Sequence, residues 1–213
     1  MAKSRSKSSR EWLKRQHNDD YVKRAVAEGY RSRAAYKLQE INSRDKLFRP
    51  GMTVVDLGAA PGGWSQVACQ LVGKGNVVAI DLLPIDPLDG VDIIIGDFRE
   101  AEIQQEVIKR LAQRKVDLVI SDMAPNFSGI RDIDLPRAVY LVEIAFEFAQ
   151  EVLVPGGSLL VKIFQGEGFT ECLQMLKGSF KTVVVRKPKA SRSESREVYI
   201  IARLLNKKER GAP

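Results

Sequence analysis

One short segment, residues 54–68, constrains the fold of this chain more than any other part of the sequence. The β-branched pair Val54-Val55 leads into Asp56 and Leu57, and a glycine-rich turn follows. The next residues, Trp64-Ser65-Gln66-Val67-Ala68, predict the start of a helix. A strand, a tight glycine-rich turn and a helix in this order form the ligand-binding unit of doubly wound α/β sheets.

The acid in this segment limits the kind of ligand. A loop that binds pyrophosphate uses bare backbone N–H groups and the positive end of a helix, and Asp56 at the strand end would repel phosphate. The glycines, Gly58, Gly62 and Gly63, also depart from the spacing G-x-G-x-x-G. An acid here favours a ligand with a cationic end and no phosphate, such as S-adenosylmethionine. A dinucleotide site and a turn without a ligand are the open alternatives.

The composition predicts one domain with a sizeable core. The chain has 213 residues, of which 44% are hydrophobic, and we find no apolar run of membrane-spanning length and no secretory signal. Cys69 and Cys172 lack C-x-x-C spacing, so we expect free thiols in a reducing, cytoplasmic setting. The single histidine, His17, cannot form a metal cluster, and we expect no metal site.

The charges fall into three blocks. Residues 1–49 carry 14 basic and 6 acidic side chains, residues 50–176 carry 9 and 18, and residues 177–213 carry 11 and 3. The net charges are therefore +8, −9 and +8. Basic ends around an acidic middle fit a polyanion bound by the ends and a small cationic ligand bound in the middle, whereas accidental clustering is the alternative. The basic side chains that we expect to contact the polyanion are Arg31, Arg33, Arg186, Lys187, Lys189 and Arg192.

Hydrophobic periodicity and turn residues predict five strand-then-helix units and a final pair of strands. The predicted strands cover residues 52–57, 77–81, 91–95, 116–121, 158–164, 181–186 and 197–203. The predicted helices cover residues 21–27, 32–41 with Ser32 as N-cap, 64–72, 100–113, 136–153 and 169–177. The loop 187–196 is too short for a crossover helix, so the last two strands must form an antiparallel hairpin.

We therefore expect an α/β fold: a seven-stranded, mostly parallel sheet with one antiparallel strand at its end and helices on both faces. This is the Rossmann-like architecture of S-adenosylmethionine-dependent methyltransferases, whose ligands bind at the carboxyl ends of the strands. One acid at a strand end is commonly a helix cap. Here four successive strands end near an acid, which predicts a binding edge formed by Asp56, Asp81, Asp97 and Asp122.

The second and third acids fit an adenosine. Asp81 follows Asp56 by 25 residues and ends the second strand, where an acid binds the ribose hydroxyls of a cofactor. Asp97 and Phe98 follow the third strand, where they are placed to bond the adenine amine and to cover its ring. A core position is the alternative for the Phe98 ring.

Several charged residues stand in places that suggest chemistry. Lys162 lies inside an apolar strand, and a desolvated lysine is costly unless it is paired, but is a usable base. Glu197 begins another apolar strand, and Asp122 ends the fourth strand beside the expected cofactor. Lys37 by itself is typical of a solvated helix. The alternatives are a lysine that reaches water for Lys162 and a surface acid for Glu197.

These four residues match, in order and context, the K-D-K-E tetrad of ribose 2′-O-methyltransferases. From about residue 10 to 205 the chain resembles the bacterial FtsJ-type, heat-shock ribosomal RNA methyltransferases. The words that carry the resemblance are Arg31-Ser32-Arg33-Ala34, Asp45-Lys46-Leu47-Phe48, Asp56-Leu57-Gly58-Ala59-Ala60-Pro61-Gly62-Gly63-Trp64-Ser65-Gln66, Ser121-Asp122-Met123-Ala124-Pro125-Asn126, Phe164-Gln165-Gly166-Glu167-Gly168 and Ser195-Arg196-Glu197-Val198-Tyr199.

The resemblance implies methyl transfer from S-adenosylmethionine to a ribose 2′-hydroxyl, usually of a uridine, in large-subunit ribosomal RNA. It implies that Lys162 takes the hydroxyl proton or stabilises the alkoxide, that Asp122 holds Lys162 and the hydroxyl in register, and that Lys37 and Glu197 orient the ribose. The cofactor residues that we expect are Asp56, Gly58, Ala59, Pro61, Gly62, Gly63, Trp64, Asp81, Asp97, Phe98 and Asp122.

We further expect a monomer with a basic arm at residues 1–30, a methyltransferase domain at 31–205 and a tail at 206–213. The expected partner is ribosomal RNA within the large ribosomal subunit, and no membrane. Amine methylation is disfavoured because Asp122-Met123-Ala124-Pro125 lacks the expected Pro-Pro-aromatic sequence, and carbon methylation because no cysteine lies there. A non-catalytic RNA-binding protein and an NAD oxidoreductase are the rival classes.

Overall fold

The computed structural model describes residues 19–206, in which a seven-stranded sheet lies between two layers of helices. The strands are β1 (Val54–Leu57), β2 (Val77–Asp81), β3 (Val91–Ile95), β4 (Val116–Ser121), β5 (Leu153–Phe164), β6 (Phe180–Arg186) and β7 (Glu197–Leu205). The helices are α1 (Asp20–Ala27), α2 (Ala34–Asp45), α3 (Gly63–Val72), α4 (Ala101–Leu111), α5 (Arg131–Val152) and α6 (Phe169–Ser179).

The strand order is β3-β2-β1-β4-β5-β7-β6, and β7 is antiparallel to both of its neighbours. The predicted fold class is therefore confirmed, but the position of the antiparallel strand was wrong. The crossover through α6 places β6 two positions away from β5, and β7 then returns in a hairpin and fills the position between them. The antiparallel strand consequently lies one place in from the edge and is paired on both sides.

Both faces of the sheet are apolar, which is why the strands read as continuous hydrophobic runs. Helices α4, α5 and α6 cover one face, where Leu57, Val119 and Phe148 belong to the larger core. Helices α2 and α3 cover the other face, where Trp64 and Tyr199 lie in a second core. The short helix α1 packs separately, through a small cluster of Ala25, Tyr36 and Ala190.

Strands β2, β3 and β4 begin and end where the sequence predicts, whereas the other elements differ from their predicted bounds at one or both ends. Three of these differences are informative. Helix α5 starts at Arg131 and not at 136, because Pro136 is accommodated inside the helix. Strand β5 starts at Leu153, since residues 154–157 form an irregularity in its pairing with β4. Ser32 does not cap α2, which begins at Ala34 without a side-chain cap.

Parts of the predicted arm and tail, residues 1–18 with His17 and residues 207–213, lie outside the described residues. Within residues 19–206, none of the helices combines the length and the apolar character that crossing a membrane requires. The division at residues 30 and 205 stays a prediction.

Candidate active site

Five polar side chains from four separate parts of the chain meet at the carboxyl edge of the sheet. Lys162 Nζ lies 3.0 Å from Asp122 Oδ1 and also donates to the Asp122 carbonyl. The Tyr199 hydroxyl donates to the same Asp122 Oδ1 at 2.8 Å. Lys37 Nζ donates to the Tyr199 hydroxyl at 3.2 Å and lies 2.6 Å from Glu197 Oε1. The structure thus brings the four predicted tetrad residues together through a tyrosine.

The register of β5 and β7 explains much of this arrangement. Lys162 is paired with Tyr199, and Phe164 is paired with Glu197, so these four side chains lie on one face of the sheet. Helix α2 covers that face through its buried residues, and Lys37 reaches the strands from it. Two ion pairs are consequently placed side by side by sheet pairing and helix packing.

Tyr199 is a functional candidate that the sequence reasoning missed. Its side chain is fully buried, its ring packs on Trp64 at 5.6 Å between centroids, and the Trp64 indole in turn donates to the Ala34 carbonyl at 2.8 Å. Burial raises the pKa of Tyr199 well above 10, and nearby Asp122 raises it further, so the phenol stays a donor. The available signal was its position two residues after Glu197, on the same strand face.

Asp122 is held ionised although it is enclosed. Burial acts to raise the pKa of its carboxyl, but the charges of Lys162 and Lys37, with hydrogen bonds from Lys162 and Tyr199, outweigh burial and hold that pKa below its ordinary value. The Lys162 side chain is only 7% exposed. A buried ammonium held by a carboxylate can orient a hydroxyl and stabilise negative charge on its oxygen.

Asp56 lies in the third position of β1 and has no solvent exposure. Its Oδ2 accepts a hydrogen bond from Ser65 Oγ at 2.6 Å, whereas its Oδ1 has no partner among the described residues. Burial raises the pKa of Asp56 to about 7, the Ser65 bond opposes this, and Asp122 and Asp81 add to it. A buried oxygen without a donor suits the cationic end of a ligand.

The glycine-rich turn after β1 needs glycine for space as well as for conformation. Gly58 has a φ of 75°, and a Cβ there would meet Met123, the residue after Asp122, at 2.6 Å. A Cβ on Gly63 would approach Ser32 Oγ to 2.4 Å. The turn is therefore packed tightly between the segment that follows β4 and the segment that precedes α2.

Asp81, the last residue of β2, holds this turn in place. Its Oδ2 accepts from the Ala60 N–H at 2.9 Å, and its Oδ1 accepts from the Leu83 N–H at 2.8 Å. Each carboxylate oxygen has further lone pairs for a ligand hydroxyl. Asp81 therefore joins the glycine turn to the loop after β2, where a cofactor ribose is expected.

Arg31 has a role in the fold that sequence reasoning missed, and the polyanion contact that we expected of it stays a prediction. Its guanidinium donates to the carbonyls of Pro61 at 3.3 Å, Asp86 at 2.6 Å and Pro87 at 2.8 Å. It thereby clamps the exposed tip of the glycine turn to the loop after β2. Ala59, in the same turn, is buried in a small cluster with Ile85.

Of the two residues predicted to contact the adenine, Asp97 is already bound to another side chain and Phe98 is buried. The Asp97 carboxylate binds the guanidinium of Arg99, whose side chain lowers the pKa of Asp97. The Phe98 ring is 5% exposed and packs edge-on against Phe148, with centroids 5.0 Å apart. This geometry supports the alternative that Phe98 is a core aromatic, and the adenine contact of Asp97 stays a prediction.

A doubly wound sheet with a glycine turn after β1 and paired charges at its carboxyl edge defines a Rossmann-like methyltransferase. A crystal structure from Plasmodium falciparum, described as a ribosomal RNA methyltransferase, superposes with a TM-score of 0.74 at 27% identity, over 83% of this chain and 98% of that one. A family model described as FtsJ-like methyltransferase matches residues 30–204, so the chain belongs to the FtsJ-like methyltransferase family.

Named relatives match this chain over nearly its full length, which includes all the residues of the candidate active site. Two proteins named ribosomal RNA large subunit methyltransferase E, from Legionella pneumophila strains Corby and Paris, are 57% and 56% identical to this chain over 204 residues. Each match covers 95% of this chain and 99% of the relative. The predicted family and the prediction of an enzyme that transfers methyl groups are therefore confirmed.

Proposed function

We propose that this protein transfers a methyl group from S-adenosylmethionine to a ribose 2′-hydroxyl, that of a uridine, in large-subunit ribosomal RNA. The observation that carries the proposal is the pair Lys162–Asp122, joined through Tyr199 to the pair Lys37–Glu197, on the same sheet edge as the glycine turn. The names of the relatives support ribosomal RNA as the substrate.

The residues of the glycine turn suit the proposed cofactor. Asp56 Oδ1, which no group in the described part of the chain binds, would face its cationic end, and Asp81 would accept hydrogen bonds from its ribose hydroxyls. When bound, S-adenosylmethionine supplies a methyl group on a sulfonium, which is electrophilic without any metal. The predictions that Gly58, Ala59, Pro61, Gly62 and Gly63 contact the cofactor depend on this assignment.

The charged network would act on the acceptor. A ribose hydroxyl is far too weak an acid to attack unaided near neutral pH, so it needs a group that takes or neutralises its proton. Lys162 would take that proton or stabilise the alkoxide, and Asp122 would hold Lys162 and the hydroxyl in register. Because paired Lys and Asp groups titrate together, the proton belongs to the pair. Lys37 and Glu197 would orient the ribose.

The structure revises which basic side chains are free to bind RNA. Arg33 is paired with Asp19, and Arg186 donates to both carboxylate oxygens of Asp45 at 2.8 Å, so these two arginines have structural roles. In the loop between β6 and β7, Lys187 donates to the Glu197 carbonyl and Arg192 lies 4.0 Å from Asp19, whereas Lys189 and Arg196 present exposed side chains. We therefore assign the RNA contacts of this end to Lys189 and Arg196.

The test is a map of ribose methylation across ribosomal RNA from cells with and without the protein. We expect one 2′-O-methyl group in large-subunit RNA to disappear without it, and to return with the wild-type chain but not with Lys162→Ala. An identical methylation map in both kinds of cell would contradict the proposal. The predicted monomer and cytoplasmic location stay predictions.

A further inference from the structure

An exposed aromatic side chain follows the active-site residue Asp122 in the sequence. Phe127 lies five residues after Asp122, in the connection between β4 and α5, and is 56% exposed. Ile130 and Ile133, at the start of α5, are also exposed. Exposed apolar side chains that gather on one segment commonly mark a binding surface. None of the steps assigned above to the charged network uses this segment.

The Phe127 ring is held close to that network. It packs edge-on against Phe164, with centroids 5.1 Å apart and the planes at 85°. Phe164 ends β5, two residues after Lys162, and the two side chains lie on the same strand face. The exposed ring is therefore anchored at the carboxyl edge, next to the place where the acceptor hydroxyl must lie.

The turn that carries Phe127 is fixed by a buried acid. Asp134 accepts hydrogen bonds from the Ser128 N–H at 2.8 Å, the Ser128 hydroxyl at 2.9 Å and the Gly129 N–H at 2.9 Å. The bond from the Ser128 N–H is the largest of the effects that lower the pKa of Asp134. An aromatic ring on a pinned turn is preorganised, so binding a partner costs little ordering.

We propose that Phe127 is a stacking platform for a nucleobase of the RNA substrate, beside the ribose that receives the methyl group. This inference rests on the proposed function. Every nucleobase has a π-face, and bases stack on exposed aromatic side chains in sequence-tolerant RNA recognition. Arg131 and Arg137 on α5 are also exposed and offer charge to the phosphates around a stacked base, although Asp132 offsets part of it. The position of Phe127 beside Lys162, where the acceptor ribose must lie, favours RNA over a protein as the partner.

The experiment measures methyl transfer from radiolabelled S-adenosylmethionine to large ribosomal subunits, and to free large-subunit RNA, from cells that lack the protein. We expect Phe127→Ala to raise the KM for RNA about 30-fold, the middle of the range for losing one base–aromatic stack. Phe127→Trp should keep the wild-type KM, and Phe127→Leu should not. The matched control is Tyr140→Ala, which removes another exposed aromatic, 50% exposed, from α5 and should leave the KM unchanged.

Each outcome decides between the two proposals. Absence of methyl transfer by the wild-type chain would overturn the proposed function, whatever the variants do. Transfer by the wild type with an unchanged KM in Phe127→Ala would overturn only the stacking platform. A wild-type KM in Phe127→Leu, or a defect confined to assembled subunits when free RNA is also a substrate, would show an apolar protein contact and would likewise overturn it. Cofactor affinity and thermal unfolding should be unchanged in all four variants.

Discussion

The two halves of the candidate site are built differently, although they share one edge of the sheet. The cofactor half is local, because Asp56 and the turn 58–63 are consecutive and Asp81 ends the adjacent strand. The reacting half joins side chains between residues 37 and 199, which come from α2, β5, β7 and the position directly after β4. In the first half a buried carboxylate oxygen of Asp56 has no donor within residues 19–206, whereas in the second half both cations have carboxylate partners.

This difference indicates two tasks. A site with an uncompensated buried oxygen gains stability when a cationic group arrives. A site with two balanced ion pairs can shift a proton internally while its total charge stays the same. The first half is therefore organised to receive a charged ligand and the second to handle a proton. Substitutions should affect the two halves separately.

The largest effect should come from Lys162→Ala, which removes the group assigned to the acceptor hydroxyl. We expect kcat to fall by about 100- to 10,000-fold, the usual range for a group that takes or gives a proton, with little change in the Kd for S-adenosylmethionine. Single-turnover kinetics and calorimetry measure the two quantities. Lys177→Ala, which removes an exposed lysine from α6, is the control and should turn over normally. Wild-type turnover by Lys162→Ala would rule out this role for Lys162.

The opposite separation is expected for Asp81→Ala. Loss of the carboxylate removes the proposed ribose contact and frees the Ala60 and Leu83 N–H groups, which should weaken cofactor binding by about 1.5–3 kcal/mol, or roughly 10- to 150-fold in Kd. At saturating cofactor, kcat should stay near that of the wild type. Asp92→Ala, which breaks a surface pair with Arg110, is the control. An unchanged Kd would mean that Asp81 serves the turn alone.

Tyr199→Phe tests whether the two ion pairs act as one unit. The variant keeps the ring against Trp64 but removes the hydroxyl between Lys37 and Asp122. We expect kcat to fall about tenfold or more, because the variant loses the hydrogen bonds to Asp122 and from Lys37, and one bond to a charged group contributes about 1.5–3 kcal/mol. The acidic limb of the rate profile should move to higher pH, because the Tyr199 bond helps to lower the pKa of Asp122.

The control for this variant is Tyr30→Phe, which removes a phenol bonded to Gln70 and Gln39 outside the site. Its rate and pH profile should match those of the wild type. If Tyr199→Phe lowered only the thermal stability and left the pH profile in place, the tyrosine would be a structural residue and the two pairs would be independent.

The smallest effect should appear at Asp56, as a proton that the site releases when the cofactor binds. Burial raises the pKa of this carboxyl from 3.8 to about 7, so the folded state binds a proton that the unfolded state has lost. Asp56 should therefore stabilise the fold fully below pH 4 and lose that contribution as the pH rises to about 7. A cationic ligand beside it should lower its pKa and release the proton.

Calorimetry of S-adenosylmethionine binding near pH 6, in buffers with different heats of ionisation, measures this release. We expect up to about one proton per site from the wild type and none from Asp56→Asn, which keeps an oxygen for the Ser65 hydroxyl. Equal proton release by the two proteins would place the cationic end of the ligand away from Asp56. It would then be wrong that the cofactor half is organised to receive a charged ligand.

What the sequence could predict follows the same division. The glycine turn, the acids at the strand ends and the bounds of β2, β3 and β4 depend on short-range patterns, and the sequence predicts them. The resemblance identified Lys37 and Glu197, but their pairing depends on the register of β5 with β7 and on the packing of α2. Local patterns contain no information about such long-range geometry.

Three residues show this limit. Tyr199 looks like an ordinary apolar strand residue until Lys37 and Asp122 are placed beside it. Arg31 looks like part of a basic surface until the carbonyls of two loops surround it. Phe98 follows a strand at the expected cofactor edge, yet only the position of Phe148 shows that its ring belongs to the core.

The placement of β7 between β5 and β6 also affects biosynthesis. A ribosome that makes this chain delivers β7 after the six other strands, so the sheet has an open slot until Leu205 is made. Glu197 and Tyr199 enter the site with that last strand, and until then Lys37 and Asp122 lack these two partners. The nascent protein can therefore complete its glycine turn early, but it cannot assemble the charged network before synthesis of the sheet is finished.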